Sequence, residues 1–188
     1  MADKNLILPV YRDELGPAYT HGTGSGTTAM VNLAGGLGAI RGMTFKPGDY
    51  VDTTFQINHD IYISGSDITL HPHVHWTAVS APAAGATVIW EFEYIGTKPT
   101  LDGSTTFSAS PTLSTSTAHV CDGNETRKHY LTDMPEIVIP LADYGSSYIL
   151  WGTFRMKATS TVAASKIALL SFDLHKIVQQ LGTAGEYA

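Results

Sequence analysis

The sequence is short of charge, of cysteine and of long apolar runs. Charged residues make up 15% of its 188 positions, against about 25% in an ordinary soluble domain. Lys and Arg number 11 against 17 Asp and Glu, a formal net charge of -6. That balance speaks against a basic nucleic-acid-binding domain and against a polybasic membrane anchor. No apolar stretch approaches the ~18 residues that span a bilayer. The opening residues, MADKNLILPVYRDE, show no basic segment followed by an apolar one. No signal peptide is read there, and a protein that is not secreted is expected. The single cysteine, Cys121, excludes an intrachain disulfide framework and a cysteine-rich zinc site. It is expected to be an inert thiol in a turn-rich stretch.

What the chain has instead is hydroxyl side chains and turn formers. Ser and Thr together outnumber the charged residues, and there are 18 Gly and 9 Pro. With 43% apolar and 10% aromatic residues, the chain has enough to bury for a packed core. This composition favours a β-sandwich or barrel over a helical fold.

Two regions differ. Half of the glycines fall between Gly16 and Gly48. Ordered glycine costs backbone entropy and offers no side chain to pack. Residues 1–49 are therefore expected to form an extended Gly-rich arm with one or two short strands. From Tyr50 onward the apolar residues alternate. Val51, Thr53, Phe55 and Ile57 share one strand face, as do Ile68, Leu70, Val74, Trp76 and Ala78. The same holds for Val88, Trp90, Phe92 and Tyr94, for Tyr148, Leu150, Phe154 and Met156, and for Ala168, Leu170, Phe172 and Leu174. Alternation with period two marks strands with one buried face. Residues 50–188 are expected to form one all-β, jelly-roll-like antiparallel sandwich. Residues 97–127, rich in Thr, Ser, Pro and Gly, read as a long excursion with an irregular strand near Phe107 to Leu113. The segment 177–181 offers one short helical turn or a continuation of the last strand.

The most conspicuous local feature is His71-Pro72-His73-Val74-His75-Trp76. In a strand its three imidazoles project to one face, away from Val74 and Trp76. Asp173 and His175 share a polar face on the last strand. His73, His75 and His175 are thus candidate metal ligands. The plainer reading makes His71, His73, His75, Asp173 and His175 part of an interface between molecules, with imidazoles packing and hydrogen-bonding without metal. The HxH pattern resembles that of cupins, but Thr77, Ala78 and Val79 stand where a cupin carries its glutamate.

Other constellations are weaker. The Gly-rich run lacks the Lys of a phosphate loop. His59-Asp60 has no serine in a GxSxG setting and reads as a strand end. Glu91 and Glu93 lie about 7 Å apart on any polar strand face, which is poor evidence for a glycosidase pair. Arg155 and Lys157 read as a solvated face balancing those two glutamates. No catalytic residue and no cofactor are expected.

The order Phe55-Gln56-Ile57-Asn58-His59-Asp60, Gly65-Ser66-Asp67-Ile68, His73-Val74-His75-Trp76, Trp90-Glu91-Phe92-Glu93-Tyr94, Leu150 to Arg155 and Leu170-Ser171-Phe172-Asp173-Leu174-His175 resembles small β-rich virion proteins of tailed bacteriophages and prophages. The likeness covers roughly residues 50–180. It implies a capsid decoration (cement) protein of jelly-roll type, a homotrimer on the capsid exterior that bridges adjacent subunits of the major capsid protein. It further implies synthesis in the host cytoplasm. Two alternatives come from other classes. One is a phage tail or baseplate component that binds glycans through residues 97–127. The other is a cupin-like metal-dependent enzyme using His73, His75 and His175.

Overall fold

The computed structural model describes residues 11–15, 18–20, 30–32, 41–56, 67–98, 113–140, 148–163 and 167–178. They form twelve strands and no helix: β1 (Tyr11–Leu15), β2 (Ala18–Thr20), β3 (Met30–Asn32), β4 (Arg41–Phe45), β5 (Tyr50–Gln56), β6 (Ile68–Ala78), β7 (Thr87–Thr97), β8 (Leu113–Val120), β9 (Tyr130–Asp133), β10 (Ile137–Ile139), β11 (Ile149–Met156) and β12 (Ile167–Val178). The strand at His59-Asp60, the turns at 64–66 and 143–146, the glycine clusters at 22–26 and 35–38, the expected strand at 107–112 and the tail 179–181 lie outside the described residues.

Every strand pairing is antiparallel. One sheet runs β10-β6-β12-β4-β3, with β9 beside β10 along β6 and β1 beside β4 along β12. The other runs β2-β5-β11-β7-β8. From β4 onward, with β9 and β10 taken as one interrupted strand, every connection except β7–β8 crosses from one sheet to the other, the winding of a jelly roll. The first crossing shows why the sequence does this. Lys46-Pro47-Gly48-Asp49 closes by a bond from the Asp49 amide to the Lys46 carbonyl at 2.9 Å. Pro47 sits where φ near -65° is wanted and Gly48 where φ is +95°, the residue order of a type II turn.

The two inner faces meet in an aromatic core. Phe172 on β12 stacks on Phe154 of β11 with centroids 4.4 Å apart and meets Phe92 of β7 and Phe55 of β5 edge-on, at 5.0 Å and 5.6 Å. Trp90 stacks on Phe154 at 5.2 Å. Rings at these separations add specific contacts to the area they bury. All five side chains are fully buried. The alternation at Val51, Phe55, Leu70, Val74, Trp76, Val88, Trp90, Phe92, Leu150, Phe154 and Met156 is the inner face observed.

Three features depart from expectation. On β12 the register shifts between Leu169 and Ser171. This bulge places Ile167 and Leu169 in the core with Phe172 and Leu174, while Leu170 is only half-buried. A strict alternation had assigned Ala168 and Leu170 to that face; one extra residue reverses the phase. Second, β8 occupies the end of the stretch read as an excursion. Its sequence LSTSTAHV carries few apolar residues because it is an edge strand, and its Thr side chains suit a pleated surface. Third, residues 1–49 contribute four short strands, β1 to β4, which pair with both sheets. Phe45, at the end of β4, belongs to the core although it precedes the expected boundary at residue 50.

Candidate functional site

The strand β6 carries the histidines, and its two neighbours supply their partners. Across the ladder His71 faces His175, His73 faces Asp173 and His75 faces Ser171 on β12. On the other side His73 faces Asp133 and His75 faces Leu131 on β9. Val74 and Trp76 point into the core, so His71, His73 and His75 lie on the outer face of the sheet, away from the inter-sheet space. Their presence there follows directly from the alternation.

Pro72 shapes this face. Its carbonyl accepts from the Met134 amide at 3.0 Å, so its nitrogen, which has no hydrogen to donate, is turned to the same neighbour. A proline in a strand removes one rung of the ladder. The neighbouring strand, which carries a proline of its own at Pro135, is interrupted opposite it, ending as β9 at Asp133 and resuming as β10 at Ile137. The interruption opens a shallow pocket of about 400 Å³ lined by His71, Pro72, His73, Leu131, Asp133 and Glu136, among others.

Each of the three imidazoles finds a carboxylate. His71 Nδ1 lies 3.3 Å from Glu136 Oε1. His73 Nε2 lies 2.9 Å from Asp133 Oδ1. His75 Nε2 lies 3.2 Å from Asp173 Oδ2, which also accepts from the Ser171 hydroxyl at 3.1 Å. The His73 and His175 rings meet edge to face at 4.5 Å. His75 Nδ1 is 2.7 Å from His129 Nε2. A carboxylate only accepts, so His75 donates from Nε2. In its neutral form its Nδ1 must then accept, and His129 donates from Nε2. Two protonated rings could not keep that bond.

The five expected interface residues are therefore brought onto one face: His71, His73, His75, Asp173 and His175. As candidate metal ligands, His73 and His175 come into ring contact, whereas His75 is engaged with Asp173 and His129. The sequence reading missed His129, Asp133 and Glu136. Their signal was the cluster of a His and two acids at 129–136 within four to seven residues, which only acquires meaning once β9 and β10 are placed beside β6.

The face is not purely polar. Leu131 and Val138 are 57% and 52% exposed. They stand opposite His75 and Thr69 in the ladder, and cross-strand partners share a face. On the outer face of the other sheet, Arg155 pairs with Glu93 and with Glu91, and Lys157 Nζ lies 2.6 Å from Glu91 Oε1. This balances the glutamates as expected, although Glu91 is buried beneath the two cations.

No family model and no curated protein matches the chain. Among solved structures, it is similar to a Paenibacillus sp. cycloisomaltooligosaccharide glucanotransferase crystallised with cycloisomaltoheptaose, at 12% identity and a TM-score of 0.43. The match covers 90% of this chain and 18% of that one, so the chain spans less than a fifth of that protein's length.

Proposed function

We propose that this protein acts by binding and not by catalysis, as a virion structural protein that decorates the head of a tailed phage. In this reading it assembles as a trimer on the capsid exterior and bridges adjacent major capsid protein subunits. The observation that carries the proposal is the composition of the outer β6-β9-β10 face. Its Glu136, Asp133 and Asp173 carboxylates each meet an imidazole of the same chain, and exposed Leu131 and Val138 stand among them. Carboxylates that already have hydrogen-bonding partners within the chain lose less on desolvation, and protruding apolar side chains gain from burial. Depletion of free charge at the centre of a contact is the compositional mark of protein interfaces.

The sealed interior supports the same reading. The inter-sheet space is filled by Phe45, Phe55, Trp90, Phe92, Phe154 and Phe172. The histidines that a cupin-like enzyme would turn inward lie outside it. The proposed mechanism is physical: a rigid sandwich laid across a junction raises the energy needed to part its two sides. A few kcal/mol per junction, within the ordinary range of binding energies, accumulates over a symmetric shell.

The test is to add purified protein to capsids that lack it and to measure uptake and resistance to heat or shear. Saturable binding with a raised rupture temperature is expected. Absence of binding to any capsid of the producing phage would overturn the proposal.

A further inference from the structure

A second group of chemistry-bearing residues lies at the border of the sandwich where β8 ends. His119 faces Val88 in the β7–β8 ladder, and Val88 is a core residue, so His119 is turned toward the space between the sheets. Cys121 follows two residues later on the same side and belongs to the core. The turn beyond it returns Glu125 to the same place. One donor atom from each of His119, Cys121 and Glu125 lies within 4.8 Å of the other two, the one such trio of His, Cys, Asp or Glu among the described residues.

The trio is held from every side. The Cys121 amide donates to the Ala86 carbonyl and the Cys121 carbonyl accepts from the Gly85 amide, both at 2.8 Å. The His119 ring meets Trp76 at 5.0 Å and Tyr130 at 5.2 Å, edge-on to both. Gly123, at φ +90°, lets the loop turn, and the Arg127 amide bonds to the Ala78 carbonyl at 2.9 Å. Glu125 is 1% exposed. Its Oε1 accepts from the Asp122 amide at 2.6 Å and its Oε2 from the Gly123 amide at 3.0 Å. Among the described residues its one ion-pair partner is His119, at 3.5 Å. A carboxylate withdrawn from water and facing a half-buried imidazole and a thiol is short of positive charge.

We propose that His119, Cys121 and Glu125 bind one thiophilic divalent cation of the zinc class. The donor set is one sulfur, one nitrogen and one oxygen, which suits zinc or cobalt and not the oxygen-seeking magnesium or calcium. Two ligands on one tetrahedral zinc stand about 3.3–3.8 Å apart, given bonds of about 2.0–2.3 Å. The separation of His119 Nε2 and Glu125 Oε1 already meets this. Three protein ligands leave the fourth position to a water. On binding, the Cys121 thiol gives its proton to the solvent and the sulfur bonds to the metal as thiolate, so one proton leaves per cation bound. The site joins the last strand of one sheet to the loop leading into the other, and its role is to pin that border.

The test uses the full chain stripped of metal with a chelator, with cobalt(II) as probe. The expected result is thiolate-to-cobalt charge-transfer absorption with the visible bands of a tetrahedral ion, saturating at one cobalt per chain and abolished by zinc. Cys121→Ser should remove the charge-transfer band, and His119→Asn should weaken uptake by at least about 10–100-fold, the loss that removing even an outer-shell partner brings. Glu125→Gln tests the third ligand but also disturbs the Asp122–Gly123 turn, so the wild-type spectrum, which needs no variant, decides. Cobalt uptake without a thiolate band would place the ion elsewhere and overturn the proposal, as would no uptake at all.

Discussion

Asp173 lies opposite His73 in the ladder between the two central strands, yet its carboxylate is 3.2 Å from the imidazole of His75. This diagonal contact ties β12 to β6 one residue pair beyond the register, and Asp173 is only 3% exposed. Replacing it by Ala would leave the Ser171 hydroxyl and the His75 ring without their acceptor. A loss of about 1–3 kcal/mol is expected, the range for stranding a buried polar partner. Denaturant unfolding of Asp173→Ala checks this; an unchanged midpoint would show that the contact is not formed in solution.

Trp76→Ala should cost about 3–5 kcal/mol. The indole is fully buried, stacks on Tyr130 at 4.8 Å and donates from Nε1 to Thr132 Oγ1 at 2.9 Å. Equilibrium unfolding in urea measures the loss. A negligible change would mean that the wrong face of β6 has been assigned to the core.

Gly152→Ala should destabilise by about 1–3 kcal/mol or more, because overpacking against backbone has no cheap relief. A Cβ there would meet the Glu93 carbonyl, with the Phe92 ring at 2.8 Å and the Tyr94 Cα at 2.9 Å. Thermal melting of the variant is the check, and a wild-type midpoint would require a looser β11–β7 pairing than described.

How much of this was legible beforehand follows from which forces act locally. The inner faces of β5, β6, β7 and β11 were readable because each strand alternates without interruption, apolar on the inner face and mostly polar on the outer. The histidine face was readable for the same reason. The bulge at Leu169–Ser171 was not, because IALLSFDL offers apolar residues in both phases and only pairing with β4 and β6 selects one. Strand β8 was hidden by its Ser and Thr content, since an edge strand needs little burial. The partners His129, Asp133 and Glu136 were hidden because their strand is short and broken at Met134-Pro135-Glu136, and its halves gain meaning only once paired with β6. The trio at His119, Cys121 and Glu125 has a short spacing, HxCxxxE, that says nothing until β8 is known to be a strand.

At alkaline pH the metal-free protein should lose stability. Burial first, then the charges of Glu125 and Asp122, push the Cys121 thiol up to about 11, and burial raises the Tyr94 hydroxyl as well. Both groups are neutral when protonated, so the unfolded chain releases its protons at a lower pH than the folded one. The contribution of Cys121 is complete below the ordinary thiol value, near pH 9, and is lost as pH rises toward about 11; that of Tyr94 begins to be lost only above the ordinary phenol value of 10.0. Unfolding free energies measured from pH 8 to pH 11 should decline across that window, and Cys121→Ala should flatten part of the decline. Alkylation of the native thiol at pH 8 should be slow. Rapid native labelling there would contradict the burial of Cys121.

Leu131→Asp and Val138→Asp should leave stability within about 0.5 kcal/mol, as for other exposed positions. Each should weaken capsid binding by about tenfold or more, a loss of ~1.4 kcal/mol or greater. Sedimentation of variant protein with capsids reads this out. Wild-type binding by both variants would move the contact to another face.

The copy number of this protein in purified phage particles, counted against the major capsid protein, tests the central claim most directly. The account predicts a fixed ratio set by the lattice of the shell, with one trimer at each repeated junction. A few copies per particle, or none, would contradict it.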